Sequence, residues 1–185
     1  DAAVAAVAER VLRRASDLLP APERITVSPA GFDAWRQCFR TIQGREIWEI
    51  YGAWIEKNQP GLGPGVRERI AYAAGVTAEE ATAARGIKAE ASARIRGLVE
   101  PGTILAFPTA PSISPPINVT QEALDTFRAR VMALTCIAGL SGLPQMTLPV
   151  GTVEGCPVGT SFIAWEGGDE ALLGLAVTLA PCCGR

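Results

Sequence analysis

Two lysines, no histidine and five cysteines set the limits of the chemistry this chain can do. A serine nucleophile activated by an imidazole is excluded, because there is no imidazole. A lysine base has to be Lys57 or Lys88. Lys57 falls at a predicted helix end, before a Pro-Gly-rich stretch, and Lys88 lies mid-helix near Glu80, Arg85 and Glu90. Neither belongs to a Ser-x-x-Lys pair, and both read as solvated surface groups, since lysine is rarely buried without a partner. Gly139-Leu-Ser141-Gly142 comes within one residue of the Gly-x-Ser-x-Gly elbow but has no base to serve it, so it reads as a turn that ends a helix. The Gly61-Leu-Gly-Pro-Gly65 run follows no strand, and its prolines remove amide donors, which argues against a phosphate cradle. The carboxylates are scattered along predicted helices, not paired in apolar surroundings, against glycosidase chemistry. Cys38, Cys136, Cys156, Cys182 and Cys183 are an odd number at irregular spacing and match no zinc pattern. They read as structural thiols, and no cofactor or metal is implied.

The elements that must position any site follow from periodicity and punctuation. Val4, Val7, Val11 and Leu18 keep helical spacing through the first 19 residues, and Pro20 and Pro22 stop that helix. Ile25-Thr-Val27 is a short strand candidate. A second helix is expected over about 31–56, with Gly44 and Gly52 counting against one unbroken rod. Its aromatics (Phe32, Trp35, Phe39, Trp48, Tyr51 and Trp54) sit at helical spacing and read as core packing. Residues 58–65 are a loop, and a helical segment covers about 66–74. Thr77-Ala-Glu-Glu80 is a capping box opening a polar, Ala-rich helix to about Val99. Thr103-Ile-Leu-Ala-Phe107 has the continuously apolar pattern of a strand buried on both faces. A Pro-rich irregular stretch, 108–117, follows it. Thr120 caps a helix over about 121–137; as a cap it also accounts for the Asn118-Val-Thr120 sequon. Strands are expected at about 145–150 and 158–165, joined by a turn region at 151–157, and a last helix runs from its cap Asp169 to about Leu179. Helices first, then strands interleaved with helices, make an α/β chain.

The 185 residues fit one domain, or most of one. The hydrophobic share is 48% and the charged share 19%, apolar for a soluble monomer. Surplus apolar surface implies a cover: a partner, a second copy in a homodimer, or further sequence. Net charge is −2 with the basic residues dispersed, against nucleic-acid binding. No apolar run reaches the length of a membrane span and no signal peptide is evident, so a cytoplasmic protein without membrane partners is expected. Asp1 in place of Met reads as a processed or incomplete end.

In the last third the pattern becomes specific. Leu134-Thr-Cys-Ile-Ala-Gly-Leu-Ser-Gly-Leu-Pro-Gln-Met-Thr-Leu-Pro-Val-Gly151, followed by Gly155-Cys-Pro-Val-Gly-Thr-Ser-Phe-Ile163, resembles the closing segment of the amidase signature family. Gly102-Thr-Ile-Leu-Ala-Phe-Pro-Thr-Ala-Pro111 is similar to the family's strand leading into a Pro-Thr-x-Pro loop, and the helix from Asp169 is similar to its last helix. Phe39 to Trp48, Gly52-Ala-Trp-Ile55 and Leu62 to Val66 are more like the indole-acetamide-hydrolase branch. The resemblance covers about residues 25–180. Ala138-Gly139 stand where many members carry an Asn, so contacts made by that Asn do not carry over.

What the resemblance implies is the C-terminal part of an amidase fold. Residues 1–185 would form one incomplete domain, mainly helical over 1–100, with strands and helices completing a mixed sheet over 101–180. The implied activity is hydrolysis of a carboxamide to carboxylate and ammonia through a Ser–cis-Ser–Lys triad. The family's catalytic Lys, its Gly-Ser-Ser-Gly-Gly motif and its nucleophilic Ser have no counterpart here, so no catalytic residue is expected in this chain and the chain alone is expected to be inactive. Thr109, Pro111, Ser112 and Ile113, which follow a strand end, are the expected substrate-pocket residues. The alternative is a non-catalytic scaffold or partner domain that keeps this architecture.

Overall fold

The computed structural model describes residues 1–183. Among them six α-helices and three strands follow one another as α1 (Ala2–Arg14), α2 (Asp33–Asn58), α3 (Val66–Gly75), α4 (Ala78–Leu98), β1 (Leu105–Pro108), α5 (Gln121–Ser141), β2 (Gln145–Val153), β3 (Cys156–Ile163) and α6 (Asp169–Leu179). The strands form one sheet in the order β1-β3-β2. Leu105 pairs with Ile163 on one side, and Gln145 pairs with Ile163 on the other. The α/β architecture is as expected, and both pairings in this segment are antiparallel.

Period-two alternation divides the sheet into two faces. Leu105 and Ile163 join Trp35, Ile42, Ile95, Ile137 and Leu140, so α2, α4 and α5 form one layer. Phe162 turns the other way, toward Ala15, Leu172 and Leu179. Val150 and Val158 pack beside it against Val4, Val7 and Val11 of α1. The helix starts follow the side-chain chemistry of their caps. Thr77 accepts from the Glu80 N–H at 3.1 Å while the Glu80 carboxylate accepts from the Thr77 N–H at 2.9 Å, and Thr120 accepts from the Ala123 N–H at 3.3 Å. Gly142, at φ 69°, ends α5 in the left-handed conformation.

Several expectations are corrected. Ile25–Val27 form no strand: the Arg94 guanidinium donates to the carbonyls of Thr26 (2.8 Å) and Val27 (2.6 Å), taking acceptors a ladder would need. α1 stops at Arg14, and Ala15–Leu19 form turns in which Leu18 and Leu19 donate back to the Ala15 carbonyl. α2 runs unbroken through Gly44 and Gly52. A Cβ at Gly44 would lie 3.2 Å from the Tyr72 ring, and one at Gly52 would lie 2.9 Å from the Trp48 indole. The glycines admit those rings and do not interrupt the helix. The aromatic stretch is core only in its first half: Trp35 is buried, whereas Tyr51 and Trp54 are exposed. Among the described residues β1 lies at one side of the sheet, with Leu105 buried and Ala106, Phe107 and Pro108 half-buried, in place of the throughout-buried strand expected. α5 continues to Ser141, and α6 is preceded by Gly168, with Asp169 already in its first turn. The hairpin turn is tighter than expected, because Val153 pairs with Cys156 across Glu154 (φ 50°) and Gly155 (φ 77°). Ile50, Ile117, Leu173 and Val177 are exposed as well, consistent with the apolar surplus of the composition.

Candidate functional site

β1 ends at Pro108, and the Thr109 N–H continues its pairing by one residue, donating to the Gly159 carbonyl at 3.0 Å. The Thr109 side chain meets two hydroxyls of the β2–β3 hairpin, one of which also bonds Gln145. Its Oγ1 is 2.9 Å from Ser161 Oγ and 3.4 Å from Thr147 Oγ1. Thr147 Oγ1 is 3.2 Å from Ser161 Oγ, and Gln145 Nε2 donates to Ser161 Oγ at 2.9 Å. Ser161 is fully buried at the centre, Thr109 and Gln145 are half-buried, and Thr147 is exposed at the rim. A Cβ at Gly159 would lie 2.9 Å from Thr147 Cγ2 and 3.3 Å from Thr109 Oγ1, so the glycine lets these two side chains close over the strand.

Beyond Thr109 the expected pocket residues diverge. Pro111 is buried and its carbonyl accepts from the Asp1 amino group at 2.8 Å. Ser112 donates to the Ile113 carbonyl at 3.2 Å and lines an open groove with Pro115, Val119, Phe127 and Arg130. Ile113 packs against the valine cluster of α1, β2 and β3. The structure therefore joins Thr109 to a hydroxyl cluster and Ser112 to a groove, and it packs the half-buried Ile113 against the valine cluster. Ser161, Thr147 and Gln145 escaped the sequence reading. Their only signal was alternation along two strands whose mutual register could not be read.

The other chemical candidates are accounted for by local structure. Ser141 is buried in the last turn of α5, donates to the Ile137 carbonyl at 2.9 Å and accepts from the Leu143 N–H at 3.4 Å. The Gly65 N–H at the start of α3 is taken by the Glu68 carboxylate. Lys57 is exposed in the last turn of α2. Lys88, expected at the surface, is half-buried beside a cavity of about 100 Å³ lined by Phe39, Ile42, Glu46 and Gly139. All five cysteines are free; burial pushes the Cys136 thiol up to about 11 and raises that of Cys38, which donates to the Ala84 carbonyl. Among the described residues no group of His, Cys, Asp or Glu could hold a metal ion, and no helix is long and apolar enough to cross a membrane.

The family model described as Amidase matches residues 12–173, nearly the whole of the architecture above. This chain belongs to the amidase family. It is 36% identical over 141 residues to Amidase 1 of Arabidopsis thaliana, covering 76% of this chain and 33% of that protein. It is 31% identical over 140 residues to the chloroplastic Outer envelope protein 64 of the same plant, covering 24% of that protein. A crystal structure of an amidase superposes on 97% of the chain with a TM-score of 0.81 and 20% identity, which establishes the fold; 42% of that amidase is matched. The amidase segment described here thus spans about a third of Amidase 1 and about a quarter of the envelope protein.

Proposed function

We propose that this chain is the C-terminal part of an amidase that hydrolyses a carboxamide to a carboxylate and ammonia, with the nucleophile and its proton-transfer partners supplied by sequence outside these 185 residues. The observation that carries the reading is family membership over 162 residues in a chain that covers only a third of an amidase relative. The chemistry of this segment agrees: its sequence carries no Gly-Ser-Ser-Gly-Gly motif, and its one near-elbow serine, Ser141, donates to a backbone carbonyl of its own helix. In such an enzyme the segment would form one incomplete domain that completes the sheet, and Thr109, Pro111, Ser112 and Ile113 would border the acyl pocket. The support for that assignment is position: irregular backbone leaving a strand end is where ligand sites are built. An arylacetamide is the substrate class suggested by the branch likeness, and simple aliphatic amides belong in the same assay.

The test compares a polypeptide carrying this chain within the full length of its relatives with the 185-residue chain. Ammonia release from carboxamides is expected from the long protein and not from the short one. Hydrolysis by the short chain above a protein-free blank would overturn the placement of the triad. A second reading, a non-catalytic scaffold, is favoured by the relatives named for the chloroplast outer envelope and its translocon. A long protein that folds but releases no ammonia would support it. A cytoplasmic location goes with the first reading, and recovery in an outer-membrane fraction goes with the second.

A further inference from the structure

We infer that Ser161 is the positioning residue of the pocket loop, holding Thr109 in place so that the loop fixes how tightly the acyl part of the amide is bound. The inference rests on the amidase reading and adds to it a residue of β3 that lies outside the loop itself.

The argument is one of hydrogen-bond satisfaction. A serine hydroxyl has one proton to give and two lone pairs to fill. Ser161 Oγ has three neighbours within 3.2 Å: Gln145 Nε2, Thr109 Oγ1 and Thr147 Oγ1. One assignment uses every group once. Gln145 donates to Ser161, Ser161 donates to Thr109, Thr109 donates to Thr147, and Thr147 donates back to Ser161. A closed ring of hydroxyls of this kind is mutually reinforcing, and its hub is fully buried, so removing the hub leaves Thr109 without its shortest side-chain partner. Gly159 keeps the strand bare where the two threonines close over it. Thr109 is then held twice, through its N–H to Gly159 and through its hydroxyl to Ser161, at the point where the loop departs.

The experiment uses the long polypeptide and two substrates, acetamide and phenylacetamide, with kcat and KM measured separately and thermal unfolding recorded on the same preparations. Ser161→Ala is expected to raise KM for phenylacetamide about tenfold while kcat changes by less than about twofold, the size of effect a lost hydrogen bond produces. Thr109→Val, which removes the same bond from the loop side, should match it. The double variant should be no worse than either single one, and Thr109→Ser, which keeps the hydroxyl, should retain the parent KM. A merely structural role would lower kcat for both amides in proportion to the folded fraction and leave KM alone, and that result overturns the inference. Should Ser161→Ala not fold, Thr109→Val and Thr109→Ser decide the matter by themselves. Hydrolysis by the parent with KM unmoved by these changes sinks this inference only; a folded parent without hydrolysis sinks the amidase reading and this inference with it.

Discussion

Two helical glycines should respond to alanine in opposite directions. Gly86, inside α4, has nothing within 4 Å of the position a Cβ would take. Alanine there gains the helix propensity that glycine forfeits, about 1 kcal/mol, and meets no obstacle. Gly139, near the end of α5, faces Phe39 of α2, and its Cβ would lie 2.5 Å from Phe39 Cε2 and 3.2 Å from Cζ. Carbon atoms in comfortable contact are about 3.5–4.0 Å apart, so the ring must leave its seat against the α2–α4–α5 core or the helices must part. Overpacking of this kind costs about 1–3 kcal/mol, which outweighs the propensity gain. Gly86→Ala and Gly139→Ala should therefore differ by about 1–3 kcal/mol. With a urea slope of about 2 kcal/mol per molar, their unfolding midpoints should separate by roughly 0.5–1.5 M, Gly86→Ala above the parent and Gly139→Ala below it. Circular dichroism reads the transitions. Phe39→Leu removes the ring atoms in the way, so in that background Gly139→Ala should cost nothing or become stabilising. The reasoning fails if both alanines move the midpoint the same way, or if the cost at Gly139 survives the loss of the ring.

Two further outcomes are expected. The Thr77 N–H and hydroxyl hold the Glu80 carboxyl below its ordinary value of 4.5, so the unfolded chain takes up that proton at a higher pH than the folded one. Its contribution is complete above pH 4.5 and disappears as pH falls through the lowered folded value. Glu80→Gln should thus be less stable than the parent at pH 7, with the gap closing in acid; a gap that stays constant from pH 7 to pH 3 would refute the capping role. At pH 8, iodoacetamide should label Cys156, half-buried beside the hairpin turn, well before Cys38 and Cys136, whose thiols burial raises. Peptide mass spectrometry checks the order, and early labelling of Cys136 would contradict its burial.

The parts of the fold that could be read in advance are those where a residue's partner is close in sequence. Thr77 and Glu80 sit one turn apart, and Thr120 lies three residues from the N–H it caps, so these helix starts were visible. Ile25–Val27 misled because their carbonyls go to Arg94, a partner on α4 that no local pattern reveals. Gly44 looked like an interruption because Tyr72, which fills the space above it, belongs to another helix. The site divides along the same line. Thr109 was legible as one of the residues that follow a strand end. Ser161, Gln145 and Thr147 were not, because their meeting depends on a register set by the Glu154-Gly155 turn and by an irregularity between Pro149 and Gly151.

The two pairings of the sheet also differ in how they must form in time. β2 and β3 are joined by a two-residue turn and can zip from it, a local event on the microsecond scale. β1 reaches β3 only after the chain between Pro108 and Gln145, α5 included, has been gathered in, and the entropy of closing that loop is lost before any ladder bond repays it. The hairpin is therefore the template and β1 the late arrival. Ser161 and Thr147 stand in place before Thr109 docks on them, so the loop after β1 takes its native path only when the slowest contact of the sheet has been made.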